Sequence, residues 1–390
     1  MRYDSIRIKC NIQATLFYKT QIYPIYVISI SNYGCRLILK EPYFQLGSIV
    51  DLKLENGLFF TGVILNKEAF EYGLSILAIS KNSLDILMNM IENNMFNVPY
   101  SKFELSSSHR KILVLGAGGG KIFSQLELLS LIEKEYDMPI QLIFDCFGGV
   151  SSGAVLATLL GMGLSIKSIK EILVENYNTL FSFHFELNKS ILDIKPLFKK
   201  ISNIMNEIKF QELEKEIFIF TRNFSTGIFQ YYSNITEEEF IVERAVKESM
   251  SIPIIFGAYE DMIDGAVGIF TNPSEIIFRF YRTLGIKMDK ISAIYLDAGF
   301  DPVHRYKSED KNIFTQLKWV LENTLRDSIL SSFERIEHQF PDINYFPYLF
   351  TFSKSYDLLA KEDAFEALKE INLKEKEFGK FLKEIKSLYK

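Results

Sequence analysis

Lys111-Ile112-Leu113-Val114-Leu115-Gly116-Ala117-Gly118-Gly119-Gly120, followed further on by Gly149-Val150-Ser151-Ser152-Gly153, decides how the rest of this 390-residue chain is read. The run 111–115 has the length and the β-branched, apolar composition of a buried strand, and the glycines end it abruptly. Leu126, Leu128, Leu129, Leu131 and Ile132, with Glu127 and Glu133 among them, predict a helix that stops at Asp137-Met138-Pro139. A second apolar run, 140–147, predicts a strand leading into the serine, and 154–164 an apolar helix leaving it. Strand, GxSxG, helix is the context of a nucleophile elbow, in which the serine occupies a sharp turn and the flanking glycines let strand and helix backbones approach. Ser151 is the candidate nucleophile.

Rival readings of the glycine loop fail on their spacing. A phosphate-cradling GxxxxGK[ST] motif would need glycine at Leu115 and Ser or Thr at Ile122. A dinucleotide fingerprint starting at Gly116 would need a third glycine at Lys121 and an acidic ribose ligand, and neither is evident. Consecutive backbone N–H groups at a helix start, those of Gly118, Gly119 and Gly120, suit a developing oxyanion instead.

These residues resemble the patatin-like phospholipases, in which a glycine-rich oxyanion loop precedes a serine elbow by about one βα unit. A third block extends the resemblance: Ala245-Val246-Lys247-Glu248-Ser249-Met250-Ser251-Ile252-Pro253, then Asp264-Gly265-Ala266 and Asn272-Pro273. The resemblance covers roughly residues 110–352. It implies that Asp264 is the second catalytic residue and contacts the serine directly. Taken without the upstream block, Asp264-Gly265 would read as a tight turn. Bacterial members commonly carry GGGxRG in the loop, where this chain has Lys121 and Ile122. Lysine keeps the positive charge without the bidentate geometry, and Lys121 is carried as a candidate substrate-binding residue, the alternative being a solvent-facing residue at a helix start.

The chain is long enough for two domains, and 48% apolar residues supply ample core. A net charge of −5 argues against a nucleic acid polymer as partner. Cys10, Cys35 and Cys146 lie far apart without CxxC spacing, so neither a disulfide framework nor a zinc site is indicated, and no metal or cofactor is expected. With no secretory signal pattern and no run long enough to span a bilayer, the expected location is the cytoplasm, extending to the inner face of the membrane where a lipid substrate would be met.

Residues 1–97 read as short strands at 8–18, 23–30, 35–39, 49–54, 58–65 and 71–78, closed by a helix at 83–97, which suggests a small barrel. The segment resembles a PilZ domain, a β-barrel that in many bacterial proteins binds cyclic di-GMP. The carrying residues are Arg7, Ser29-Ile30-Ser31-Asn32-Tyr33-Gly34, Gly47-Ser48-Ile49-Val50 and Tyr72-Gly73-Leu74. The resemblance implies nucleotide contacts from Arg2, Arg7, Ser29, Ser31 and Gly34. Two departures stand out: Arg2 and Arg7 are one residue too far apart for RxxxR, and Ser29 replaces the usual Asp or Asn. A guanidinium fork grips phosphate by its geometry, so a shifted arginine matters. The alternative is a barrel kept for packing or interaction.

Polar, aperiodic residues 98–110 read as a linker and 111–390 as the second domain. Helices are expected at 166–177, 193–208 and 315–338, strands at 216–221, 229–233 and 291–296, and one solvated Lys/Glu-rich helix at 361–390. The expected architecture is an α/β patatin-like domain, a mainly parallel sheet flanked by helices, preceded by a small all-β PilZ-like barrel. The order Ser, acid, His would also allow His304 or His338 as the base, although neither sits in a motif. Aromatic and apolar residues at 181–185 and 254–256 are candidates for an acyl channel. The activity so implied is a lipid acyl hydrolase acting on a phospholipid or lysophospholipid ester at a membrane surface, with cyclic di-GMP as a candidate regulator. The alternative is a catalytically weak effector that binds lipid or a cyclic dinucleotide.

Overall fold

A computed structural model describes residues 7–39, 44–68, 70–93, 109–175, 195–253, 257–302, 313–354 and 361–386. Six strands open the chain: β1 (Ile8–Tyr18), β2 (Gln21–Ser31), β3 (Gly34–Ile38), β4 (Ile49–Leu54), β5 (Phe59–Glu68) and β6 (Glu71–Ser80), followed by helix α1 (Lys81–Asn93). Antiparallel pairings run β1 to β2, β2 to β3, β3 to β6, β6 to β5, β5 to β4 and β4 back to β1, so the ring closes as the sequence suggests. Its side chains alternate along β1 and β6, and the inward set, including Leu16, Val27, Leu37, Leu52, Phe60 and Leu74, forms one apolar core.

The second region contributes β7 (Arg110–Leu115), a 3₁₀ turn (Gly119–Lys121), α2 (Ile122–Tyr136), α3 (Ile140–Ile143), β8 (Cys146–Val150), α4 (Ser152–Gly161), α5 (Ile166–Glu175) and α6 (Lys195–Met205). It continues with β9 (Glu216–Asn223), β10 (Phe229–Ser233), α7 (Val242–Ser249), β11 (Met262–Asp264), α8 (Ser274–Thr283), β12 (Ile291–Leu296), α9 (Ile313–Gln339), β13 (Asn344–Tyr348), α10 (Lys361–Leu373) and α11 (Glu375–Lys386). Strands β13, β12, β7, β8 and β9 lie side by side in parallel, and β10 and β11 add to β9 in antiparallel fashion. Along β7, Leu113 and Leu115 enter the core on one face while Ile112 and Val114 enter the core on the other. Both faces are covered, which is why the strand reads as a continuous apolar run.

The barrel does not stand apart. Strand β10 pairs in parallel with β6 through Phe229 opposite Ala78, Gln230 opposite Ile79 and Tyr231 opposite Ser80, which joins barrel and sheet into one hydrogen-bonded system. The pairing covers the edge that β10 would otherwise expose. Glu237, a residue of the second region, accepts the amide of Asn82 at the start of α1 at 2.8 Å. Residues 98–108 of the expected linker, with 94–97 of the first domain, lie outside the described residues.

Two expectations need correction. Residues 140–147 are not one strand: Pro139 and the Glu133 side chain, which accepts the Ile140 amide at 2.9 Å, start the short helix α3, and β8 begins only at Cys146. A short apolar run does not by itself distinguish strand from helix. The C-terminal segment is two helices rather than one, and it is not solvated all round. Phe378, Leu382 and Ile385 are buried at helical spacing and share the core with α2 and with Ala367, Leu368 and Ile371 of α10. The Lys386 ammonium reaches the Glu135 carbonyl at 2.6 Å. No helix among the described residues is long and apolar enough to cross a membrane.

Phe378→Ala should therefore lower stability to urea by about 3–5 kcal/mol, because it opens a cavity against the Tyr348 ring, whose centroid is 4.5 Å away. A loss below about 0.5 kcal/mol, the size expected for a solvated helix, would contradict this packing.

Candidate active site

Strand β8 is buried throughout, and the chain turns at its end with Ser151 at φ 57°, ψ −127° before α4 begins. A positive φ is strained for serine, and the surroundings hold it. A Cβ on Gly149 would lie 2.2 Å from the Gly153 carbonyl oxygen, and one on Gly153 would lie 2.3 Å from that of Leu115. No larger residue lets β7, β8 and α4 approach so closely. The Ser151 N–H donates to the Ser249 hydroxyl oxygen at 2.9 Å, and that hydroxyl donates to the Phe220 carbonyl at 2.7 Å. Ser249, at the end of α7, thus ties the elbow to β9.

Asp264 ends β11, where it faces Thr221 of β9. Its N–H donates to the Ser251 carbonyl at 2.9 Å, and its Oδ1 accepts the Ala266 N–H at 2.8 Å. A Cβ on Gly265 would meet the Phe220 carbonyl oxygen at 2.5 Å, so this Asp-Gly serves packing against β9 as well as turning the chain. The Ser151 side chain is near enough to the Asp264 carboxyl to lower its proton affinity, which brings together two residues more than a hundred positions apart. Both are almost fully buried. Burial pushes the Asp264 carboxyl up from the ordinary 3.8 to about 7, against the opposing effect of the nearby Ser151 side chain and the Ala266 N–H.

The glycine loop lies beside the elbow. Gly119 adopts φ 52°, which favours glycine, and Gly119 and Gly120 open the 3₁₀ turn, where the first N–H groups have no partner within the turn. Gly118 differs from the expectation: its N–H donates to the Ser152 hydroxyl oxygen at 3.0 Å, so that amide is engaged by the protein. Lys121 requires a correction. It is buried, its ammonium lies 3.1 Å from the Gly299 carbonyl and 2.9 Å from the Asp301 carboxylate, and it sits over the Phe352 ring. Its charge is neutralised within the protein, so it binds the loop to the segment after β12 and presents no free cation to a substrate. Nearby, burial raises the Asp297 carboxyl to about 6, partly offset by the Gly299 N–H, Lys121 and the Tyr295 hydroxyl.

Ser152 and Ser249 were not singled out by the sequence. Ser152 occupies the variable position after Ser151, and Ser249 lies in the Ser-Met-Ser-Ile-Pro block, so proximity to motifs was the available signal. His338 is exposed on α9, and His109 bonds Ser292 at 2.8 Å, so both are engaged away from Ser151 and Asp264. His304 and the channel candidates at 181–185 and 254–256 lie outside the described residues. In the barrel, Arg7 donates to the Ser29 hydroxyl at 3.3 Å, and the Ser31 hydroxyl donates to the Gly34 carbonyl at 3.1 Å. These residues share the β2–β3 corner, and Arg2 lies outside the described residues.

Because the folded state raises the Asp264 pKa, it holds this proton more tightly than the unfolded chain. The associated stabilisation is complete below about pH 4 and is lost as pH rises through about 7. Asparagine does not titrate. The stability of Asp264→Asn relative to wild type should therefore increase between pH 4 and pH 8 by on the order of 2–4 kcal/mol. Urea denaturation at both pH values measures this difference, and a value independent of pH rules the coupling out.

Comparison with known proteins places these elements. Residues 113–276 match the family model of the patatin-like phospholipases, and residues 2–93 match that of the PilZ domain. An uncharacterized protein of Acanthamoeba polyphaga mimivirus is 28% identical over 166 residues, 39% of this chain and 55% of the relative, so the chain spans about half of that relative's length. Among solved structures, VipD of Legionella pneumophila is similar at 12% identity over 70% of this chain and 67% of its own, with a TM-score of 0.39. ExoU of Pseudomonas aeruginosa, solved with SpcU, is similar at 12% identity over 76% and 60%, with a TM-score of 0.30. The Bacillus subtilis inhibitor of motility MotI/DgrA is similar at 14% identity over 25% and 52%, with a TM-score of 0.22. The two family matches, in the order and with the motifs described, place a PilZ domain at residues 2–93 ahead of a domain of the patatin-like phospholipase family at residues 113–276.

Proposed function

We propose that the protein is a lipid acyl hydrolase whose Ser151 and Asp264 act as a dyad on the carboxylic ester of a phospholipid or lysophospholipid. The observation that carries this reading is that Ser151, held at a positive φ in the turn between β8 and α4, and Asp264, brought in by the pairing of β11 with β9, are both buried, with Ser151 acting on a carboxyl that burial has raised to about 7. An ordinary aspartate is too weak a base to accept a serine proton readily. One that titrates near neutrality is better matched to the task.

In the proposed reaction Asp264 accepts the hydroxyl proton as Ser151 Oγ forms a bond to the acyl carbon. The carbonyl π electrons move onto oxygen, and the N–H groups of Gly119 and Gly120 stabilise that oxyanion. Collapse breaks the ester C–O bond, and the proton on Asp264 passes to the departing alcohol. Water then repeats the sequence on the acyl-serine and releases the fatty acid. The Gly118 amide, held by Ser152, shapes the loop rather than serving as a third donor, and Lys121 fixes the loop from behind. The PilZ domain is proposed as the regulatory part, with cyclic di-GMP as its ligand and Arg7, Ser29, Ser31 and Gly34 as the described residues at the candidate site.

Incubation with a total lipid extract followed by mass spectrometry should show fatty-acid release by wild type and a drop of roughly 10³ or more in Ser151→Ala and Asp264→Asn. Retention of activity in either variant rejects the dyad. Because the base must be ionised, kcat/KM should rise with pH and reach half its plateau near pH 7. Titration calorimetry with cyclic di-GMP tests the regulator, and no heat at high ligand concentration removes it.

A further inference from the structure

Charged side chains are buried where the barrel meets the hydrolase domain. Asp51 of β4, Glu275 at the start of α8 and Arg279 in its middle have fully buried side chains. Arg279 Nη1 donates to Asp51 Oδ1 at 3.1 Å, its Nη2 donates to Glu275 Oε1 at 2.7 Å, and it also reaches the Gln339 side chain. Arg282 donates to the second Asp51 oxygen, and Thr61 donates to the first at 2.8 Å. Burial alone would raise the Asp51 carboxyl, but Arg279 and Arg282 outweigh it and hold it below the usual range. An ion pair this dry is constrained, because either partner left alone would be a buried charge.

The network continues toward the dyad. Arg335 of α9 donates through Nε to Glu275 Oε2 at 3.0 Å and through Nη2 to the Ile269 carbonyl at 2.6 Å. Ile269 lies in the segment 264–273, which begins at Asp264 and runs into α8. That segment is internally bonded: the Thr271 hydroxyl donates to the Ala266 carbonyl at 2.9 Å, and the Ala266 N–H holds Asp264 Oδ1. A continuous chain of charge-assisted bonds therefore runs from a barrel strand to the backbone that aims the Asp264 carboxylate.

We propose that Asp51 of the PilZ domain is a positioning residue for the hydrolase site: through Arg279, Glu275 and Arg335 it fixes segment 264–273, so that the barrel sets the alignment of Asp264 with Ser151. The inference rests on the dyad reading and adds a route by which a change in the barrel alters turnover. Contiguity alone does not establish coupling, so the test must read the dyad and the segment separately.

Full-length Asp51→Asn, which keeps the side-chain shape and removes the charge, is compared with wild type and with Lys53→Met. Lys53 lies at the same seam, donating to the Thr283 carbonyl at 2.9 Å, but outside the chain of bonds. In folded Asp51→Asn, kcat for ester hydrolysis should fall about tenfold to a hundredfold with KM within about twofold of wild type, as expected for a misaligned reacting group. Lys53→Met should leave both constants unchanged. Amide hydrogen exchange over 264–273 should accelerate in Asp51→Asn and remain unchanged in Lys53→Met. If Asp51→Asn does not fold, Arg335→Gln, at a partly exposed position, should give the same kinetic split and the same faster exchange. Unchanged kcat and exchange in folded Asp51→Asn, or equal losses in Lys53→Met, overturn the proposal. Wild type inactive on every ester removes the hydrolase reading instead, and the exchange comparison still decides whether Asp51 orders the segment.

Discussion

A carboxylate enclosed in protein beside a serine hydroxyl is the arrangement on which the rest of the site depends. In water Asp264 would ionise readily and share its charge with solvent. Burial withdraws that solvation, and the proton affinity rises until the group titrates near neutrality. The cost falls on the folded state, and surrounding packing must hold it. Glycines at 149, 153 and 265 let backbones meet where side chains would collide, Ser249 pins the elbow to β9, and the pairing of β11 with β9 carries the carboxylate to the serine. On the proposed reading, the feature that makes Asp264 a useful base also makes it a local burden on stability, as is common where a site is built for chemistry.

The glycine loop depends on its supports in a comparable way. The Lys121 ammonium is directed inward to Asp301 and the Gly299 carbonyl. A single compact cation suits that role, because the partners form one carboxylate and one carbonyl rather than a planar fork. The Ser152 hydroxyl holds the Gly118 amide from the elbow side. Loop and elbow are thus joined by a direct bond to the residue after Ser151, which ties the loop's backbone to the turn that carries the Ser151 hydroxyl.

The seam between the two regions has the character of a protein interior. Strand pairing between β6 and β10 satisfies backbone groups, the rings of Phe59, Tyr231 and Phe280 pack across it, and Asp51 meets two arginines in a dry setting. A flexibly tethered accessory domain would show little of this. The barrel shares its hydrogen bonds and its buried charges with the second region, so neither surface is suited to solvent alone.

The sequence by itself determined the elements and motifs. The apolar run 111–115, the alternating residues of β1 and β6, the serine elbow, the glycine loop and the Asp-Gly-Ala block are local patterns whose physics acts within a few residues, and the sheet and the closed ring of strands follow them. Where a pattern admitted two outcomes, neighbours chose: α3 forms because the nearby Glu133 and Pro139 start a helix, and the Lys/Glu-rich end buries one apolar face because α2, distant in the chain, offers a surface for it. Tertiary structure alone decided that Lys121 turns inward, that Ser152 takes the Gly118 amide, and that the barrel extends the sheet and shares a buried ion pair with it. Each of these outcomes depends on desolvation and on partners far away in the sequence, and a side chain's burial is a property of the folded whole that no local spacing encodes.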